Sequence, residues 1–314
     1  MTDGAGDVLA SRCVTKRMPP AEVLIDHDLV RALLREQHHD LASLAIVESG
    51  EGWDNKQYRL GDDLVVRLPR RALAAPLIEH EQRWLPVLAP RLPLPVPVPV
   101  RVGQPGCGFP WAWSISRWFP GDSVARLDAL VESDVIAQQL AEFLAALHQP
   151  APADAPINPY RTSLPARSAA FAEQTAALAA RLDRAAAMSL WRDVLAADAW
   201  QEPAVWVHGD LHPGNLIAHG ARLAAVIDFG DVTAGDPAVD LAVAWMLPWP
   251  ASARAAFRVA LAARSVLIDE ATWTRARGWA LTLGVAYLAH SLDNPLMATI
   301  GKRTLAVVLA EPLT

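Results

Sequence analysis

The spacing of apolar positions changes character near residue 120. Before it, apolar and polar residues alternate in short runs. Residues 44–49, 56–60 and 64–68 read as strands, with Gly61-Asp62-Asp63 as a turn between the last two and Pro69 ending the third. The proline-punctuated stretch 92–100 must be extended, and residues 111–118 alternate as a further strand. Two helices interrupt this region, 28–37 with Leu29, Leu33 and Leu34 at helical spacing, and 75–88. After Phe119-Pro120-Gly121 the pattern turns helical over 127–147, 164–187, 190–199, 239–246, 251–267 and 273–292. One β-rich island, residues 205–229, lies among these helices. The expectation is an α+β chain. Residues 1–17 form a polar, disordered tail, with Met18 as a candidate alternative start; 18–118 form a β-rich unit and 119–314 a mainly helical one.

Composition removes several classes. With 314 residues, 52% of them hydrophobic and 12 tryptophans, the chain can bury a large core, which excludes disorder. The longest apolar run, 238–250, is broken by Asp240 and two prolines, so no membrane span is expected. The N-terminus has no apolar core of a secretion signal, which predicts a cytoplasmic protein. Cys13 and Cys107 fit neither a disulfide framework nor a metal-ligand spacing. Residues 1–120 balance 14 basic against 14 acidic side chains, so the whole net charge of −6 lies in 121–314. That disfavours nucleic acid and suits either a cationic partner or simple solubility.

The island carries the chemistry. His208-Gly209-Asp210-Leu211 with Asn215 fits the kinase catalytic-loop pattern H-R-D-L-x-x-x-N, with glycine in place of arginine, and Asp228-Phe229-Gly230 follows after one short hairpin. Phosphoryl transfer needs an aspartate to orient the acceptor hydroxyl and take its proton. It also needs Asn and Asp oxygens on the Mg²⁺ that bridges the nucleotide phosphates. A loop closing into a hairpin brings three such groups together.

This sequence resembles the aminoglycoside phosphotransferase family, the small-molecule branch of the protein-kinase-like fold. The resemblance rests on residues 208–215 and 227–231, on G-D-P-x-x-D-L-A at 235–242, and on GWDN (52–55), VVRLPRR (65–71) and WFPGDS (118–123); it spans about residues 20–310. It implies a two-lobed fold, with a small β-rich nucleotide-binding lobe and a larger helical lobe. Asp210 is then the catalytic base and Asn215 and Asp228 the Mg²⁺ ligands. The loop containing Gly50, Gly52 and Asn55 covers the phosphates of ATP or GTP. Arg67 stands where the family has a phosphate-binding lysine. It shares a strand face with Val65, and Glu81 is its partner, with Glu79 as the alternative. The adenine would hang on backbone groups of the segment holding Arg117, Phe119 and Gly121.

Other readings compete. His208-x-Asp210-x-His212 has the spacing of a zinc-hydrolase ligand pair, and an inactive kinase-like binding module would keep the fold but should have lost one of Asp210, Asn215 and Asp228. His208 is expected to brace the backbone near Asp228, Asp236 to cap a helix, and Asp240 to brace the catalytic loop. Most tryptophans, Trp245, Trp273 and Trp279 among them, should be core, with one or two in the wall of a substrate pocket. Five residues between Phe229 and Gly235 leave no peptide-docking activation segment, which points to a small molecule. An aminoglycoside-like acceptor heads the expectation; a macrolide, a sugar or an amino alcohol would use the same core. Selectivity should reside in 155–200 and 265–295. No obligate protein partner is evident.

Overall fold

Five strands pair into one antiparallel sheet in the order β1-β2-β3-β5-β4. They are β1 (Ile46–Glu51), β2 (Asn55–Leu60), β3 (Leu64–Pro69), β4 (Pro99–Gly103) and β5 (Trp113–Arg117). The computed structural model describes residues 18–130, 132–161, 163–265, 268–291 and 293–311; the tail read at 1–17 lies outside the described residues. Period-two alternation decides what each sheet face does. Tyr58, Leu60, Val66, Leu68, Trp113 and Ile115 point to one side, where helix α1 (His27–Gln37) covers them with Val30, Leu33 and Leu34. Each such large side chain contributes about 1.5–3 kcal/mol through burial. Asp26 starts that helix by accepting from the Leu29 N–H. On the opposite face, Val65 and Arg67 look into the cleft.

Helix α2 (Ala75–Leu88) crosses that second face. Its Gln82 donates to the Trp113 carbonyl and the Ser114 hydroxyl, while Trp84, Leu85 and Leu88 join the larger apolar cluster of the helical region. The chain then passes through β6 (Asp122–Ser123) to α3 (Ser133–Leu147), α4 (Ser168–Ala177) and α5 (Arg184–Leu195). The island folds as β7 (Val205–Val207), β8 (Leu216–His219), β9 (Arg222–Val226) and β10 (Thr233–Gly235). β7 pairs with β10, and the β8–β9 hairpin pairs with β6. Helices α6 (Ala238–Leu241), α7 (Ala251–Ala262), α8 (Glu270–Ala289) and α9 (Pro295–Ala310) complete it, with α8 buried along most of its length against α9 and α6. Among the described residues no helix is long and apolar enough to cross a membrane.

Several helix limits differ from the sequence pattern: the helices expected over 239–246, 251–267 and 273–292 run Ala238–Leu241, Ala251–Ala262 and Glu270–Ala289, and three further differences have a visible cause. The helix expected from 127 starts at Ser133, because Glu132 is left-handed (φ +56°) and Leu130 N–H bonds the Pro248 carbonyl. The break expected near 188 falls at 178–183 instead, where Asp183 caps α5 through the Ala186 N–H. Alanine is favourable on both sides of that break and hides it. Helix α9 was not anticipated, although Asn294 caps it with Pro295 in its first turn. Trp245, Trp273 and Trp279 are buried.

Candidate active site

The catalytic loop leaves β7 and is clamped from below. Both oxygens of the buried Asp240 carboxylate are used: Oδ2 accepts from His208 N–H (2.8 Å) and Oδ1 from Gly209 N–H (2.9 Å). His148 Nε2 meets Oδ2 at 3.1 Å. The His208 ring donates from Nε2 to the Ile227 carbonyl (3.0 Å) and accepts the Asp210 N–H at Nδ1 (3.2 Å). With both nitrogens engaged, His208 is a brace and offers no lone pair to a metal, which removes the zinc-hydrolase arrangement. Gly209 sits at φ +82°, and a Cβ there would lie 2.3 Å from the Asp231 carbonyl oxygen. Only glycine fits that position, which accounts for the missing arginine. Asp236 accepts from Ala238 N–H and pairs with Arg275 (2.7 Å), tying the start of α6 to α8.

Above this loop lies a cavity of about 500 Å³ lined by Asp210, His212, Asn215, Asp228 and Asp231. Glu51, Gly52, Trp53, Asp54 and Asn55 roof it, and Tyr287, His290 and Asp293 close its far side. Arg161 Nη2 holds Asp210 Oδ1 at 2.9 Å, and His212 Nε2 stands 3.5 Å from Oδ2. Burial pushes the Asp210 carboxyl up, but His212, Arg161 and His208 outweigh it and hold the group below the ordinary carboxylate range. Asp231 behaves oppositely. Burial, then the Asp210 carboxylate, raises it to about 7 against the pull of Arg161. Asn158 Nδ2 donates to its Oδ1.

A second cavity, about 230 Å³, is lined by Val65, Arg67, Arg117, Trp118, Phe119, Gly121 and Ile227, and it meets the first at Asp228. Arg67 is buried at this junction. Its Nη1 binds both Glu81 oxygens at 2.7 Å, and its Nη2 binds Asp228 Oδ1 at 2.7 Å. Glu81 Oε1 also accepts the Phe229 N–H at 2.7 Å, so one carboxylate fixes the β3 arginine and the loop after Asp228 together. Burial alone would lower the Arg67 pKa; Glu81 and Asp228 reverse that and keep it charged. Asp228 itself is left-handed (φ +65°), a strained backbone that aims its carboxylate at the junction, where the side chain stays 43% exposed.

The structure therefore gathers Asp210, Asn215 and Asp228 at one cavity and Arg67, Arg117 and Phe119 at the other. Glu81 pairs with Arg67, and Glu79 is exposed. Gly52 and Asn55 roof the larger cavity, while Gly50 lines neither. The roof is pinned by Arg70, which bonds the Gly52 and Trp53 carbonyls and pairs with Glu51, and by Arg71, which pairs with Asp54. Sequence reasoning missed Arg161, Asn158 and the role of Asp231 in this wall. The last was in view as the residue after Asp228-Phe229-Gly230; Arg161 carries no local pattern.

A strand-rich lobe over a helical lobe, with two cavities meeting where the buried Arg67–Glu81 pair holds Asp228, is the two-lobed protein-kinase-like architecture. Solved structures bear this out at low identity. The GDP and kanamycin complex of APH(2")-IIia aligns with a TM-score of 0.69 and 21% identity, covering 90% of this chain and 98% of that one. The GDP complex of wild-type aminoglycoside 2'-phosphotransferase-IIIa aligns at 0.69 and 18%, covering 91% and 99%. Macrolide 2'-phosphotransferase type I aligns at 0.61 and 20%, again covering 91% and 99%. No curated protein matched the sequence. The family model for the phosphotransferase enzyme family matches residues 45–279, and the chain belongs to that family, that of the aminoglycoside phosphotransferases. It is a small-molecule kinase, a phosphotransferase with an alcohol group as acceptor.

Proposed function

We propose that this kinase transfers the γ-phosphoryl group of ATP or GTP to a hydroxyl of a cationic, aminoglycoside-like acceptor held in the larger cavity. One observation carries the acceptor class. Among the described residues six carboxylates, those of Glu51, Asp54, Asp210, Asp228, Asp231 and Asp293, line that cavity, against one arginine, Arg161. Such a wall concentrates a polyamine and repels a phosphorylated or acidic metabolite. The kanamycin bound by one relative of the same fold is a polyamine of this kind.

The nucleotide base fits the smaller cavity against Val65, Ile227 and the segment 117–121, with its phosphates running toward Arg67 and Asp228. Asn215 and Asp228 are suited to a magnesium ion. Asn215 commits its amide nitrogen to the Asp210 carbonyl (2.9 Å), which leaves its side-chain oxygen free to face the cavity, and Asp228 keeps Oδ2 clear of the Arg67 contact. Among the described residues no cluster of three or more His, Cys, Asp or Glu is arranged around one metal point. Two oxygen ligands completed by phosphates and water are what Mg²⁺ ordinarily takes. When bound, the ion neutralises charge on the β- and γ-phosphates. Asp210 orients the acceptor hydroxyl; as its oxygen bonds phosphorus and the bridging P–O bond breaks, the hydroxyl proton passes to the Asp210 carboxylate. Because Asp210 is held acidic, it acts mainly by orientation and takes the proton late, as suits a loose transition state.

Calorimetric titration of MgATP and MgGTP into wild type and Asp228→Asn tests the donor half. The variant should lose Mg²⁺-dependent nucleotide binding; wild-type affinity in it would remove Asp228 from the role. Thermal shift with kanamycin, a macrolide, a neutral sugar and an amino alcohol, each with nucleotide, tests the acceptor half. Stabilisation by kanamycin alone among them is expected. Stabilisation by the macrolide or the sugar alone contradicts the acceptor class.

A further inference from the structure

The catalytic loop cannot carry an arginine at position 209, where the kinase pattern has one, and its own cationic candidate beside Asp210 is His212, 3.5 Å from Oδ2. At position 209 any side chain would strike the Asp231 carbonyl, and the backbone there is left-handed. Yet a guanidinium is present. Arg161 arrives from the irregular segment between α3 and α4, 49 residues before Asp210, its side chain only 13% exposed. It donates Nε–H to the Gly209 carbonyl and Nη2–H to Asp210 Oδ1. We propose that Arg161 is a positioning residue for phosphoryl transfer: it locks Oδ1 of Asp210 and the adjoining loop carbonyl, so that the carboxylate's orientation is fixed and Oδ2, beside His212 Nε2, is presented to the acceptor hydroxyl.

Three observations support this. First, among the described residues Arg161 is the one Lys or Arg that lines the larger cavity, where it and His212 stand against the carboxylate-rich floor. Second, its segment is preorganised. Asn158 N–H donates to Thr233 Oγ1 (2.9 Å), Asn158 Nδ2 donates to Asp231 Oδ1, and Ala234 N–H and the Thr233 hydroxyl both donate to the Pro156 carbonyl. Pro156 and Asn158 are thus tied to Asp231 and to the strand that follows Asp228-Phe229-Gly230. Third, the guanidinium fork uses two different nitrogens on two acceptors that belong to adjacent residues, which fixes a direction as well as a charge. A lysine could supply the charge but not the fork.

This inference rests on Asp210 acting on the acceptor, so the test separates the two. Full-length wild type, Arg161→Gln, Arg161→Lys, Asp210→Asn and the double variant Arg161→Gln/Asp210→Asn are assayed with Mg²⁺-nucleotide and kanamycin, and with water as the alternative acceptor through nucleotide hydrolysis. Misplacement of a reacting group by about 1 Å costs roughly a hundredfold. Arg161→Gln should therefore lose roughly 10- to 100-fold in kcat while the nucleotide KM stays within about twofold. Arg161→Lys should recover part of that loss. In the Asp210→Asn background, Arg161→Gln should change the residual rate less than about twofold, since its effect passes through Asp210. Should Arg161→Gln fail to fold, the lysine variant decides: a lowered kcat at unchanged nucleotide KM and melting temperature supports the proposal, and wild-type kcat overturns it. Full additivity in the double variant, or equal losses of kcat and nucleotide affinity, also overturns it. Wild-type turnover in Asp210→Asn would instead overturn the function proposed for Asp210.

Discussion

At the scale of single residues, two aspartates in one cavity are driven apart. Asp210 is held ionised by His212, Arg161 and His208, whereas Asp231 is raised to about 7 by burial and by the carboxylates of Asp210, Asp228 and Asp54. The direction has a consequence. Below neutral pH Asp231 keeps its proton, and a bound cation favours the ionised form, so binding a cationic acceptor should release a proton and acceptor affinity should rise as pH climbs through 7. Kanamycin titrations in two buffers of different ionisation heat, compared with Asp231→Asn, read this directly; identical proton release in both proteins would contradict it. Of these residues, Asp210 and Asn215 were legible because the chemistry and the spacing coincide within one short loop. Arg161 was not. Its partners are distant in sequence, and nothing near Asn158 or Arg161 departs from an ordinary polar loop.

At the scale of elements, the catalytic loop is a strand-to-hairpin connection whose shape is fixed from outside itself. Asp240, from the first turn of α6, satisfies two loop N–H groups that would otherwise be buried and unpaired. Asp240→Ala should cost about 3 kcal/mol or more, since each orphaned buried donor is worth about 1–3 kcal/mol. A chemical denaturation series checks this, and a loss below about 1 kcal/mol would show that water replaces the carboxylate. Gly209→Ala should be comparably damaging, because alanine would meet both the positive φ and the Asp231 carbonyl. The strands were legible because alternation on β2 and β3 separates core-facing Val66 and Leu68 from cleft-facing Val65 and Arg67. Helix limits in the Ala-rich 164–199 region were harder, since composition there favours helix throughout and only the Asp183 cap marks the break.

At the scale of the whole molecule, the charge partition read from sequence locates the acidity only in part. The net −6 lies after residue 120, yet Glu51 and Asp54 of the cavity roof come from the balanced N-terminal region. Likewise, selectivity was expected from 155–200 and 265–295. The cavity walls include Arg161 and, among the described residues, Ala286, Tyr287, His290, Ser291, Asp293 and Asn294 from those ranges, and add Met297, Met18 and the roof residues Glu51 to Asn55 across the cleft. Local composition cannot show which loops face one another after folding. If the six carboxylates act together, the acceptor KM should rise with ionic strength near 0.15 M, where the Debye length is about 8 Å, more steeply than the nucleotide KM. A salt-independent acceptor KM would make the acidity a matter of solubility.

The central claim is that Asp210 directs phosphoryl transfer to a hydroxyl in the acidic cavity. Mass spectrometry of kanamycin after incubation with Mg²⁺ and ATP or GTP tests it most directly, run side by side on wild type and Asp210→Asn. Wild type should yield a product heavier by one phosphoryl group, and the variant should form it roughly 10²–10⁴ times more slowly while still binding nucleotide. Equal product from both proteins, or none from wild type alongside phosphorylation of a neutral sugar, would contradict the account.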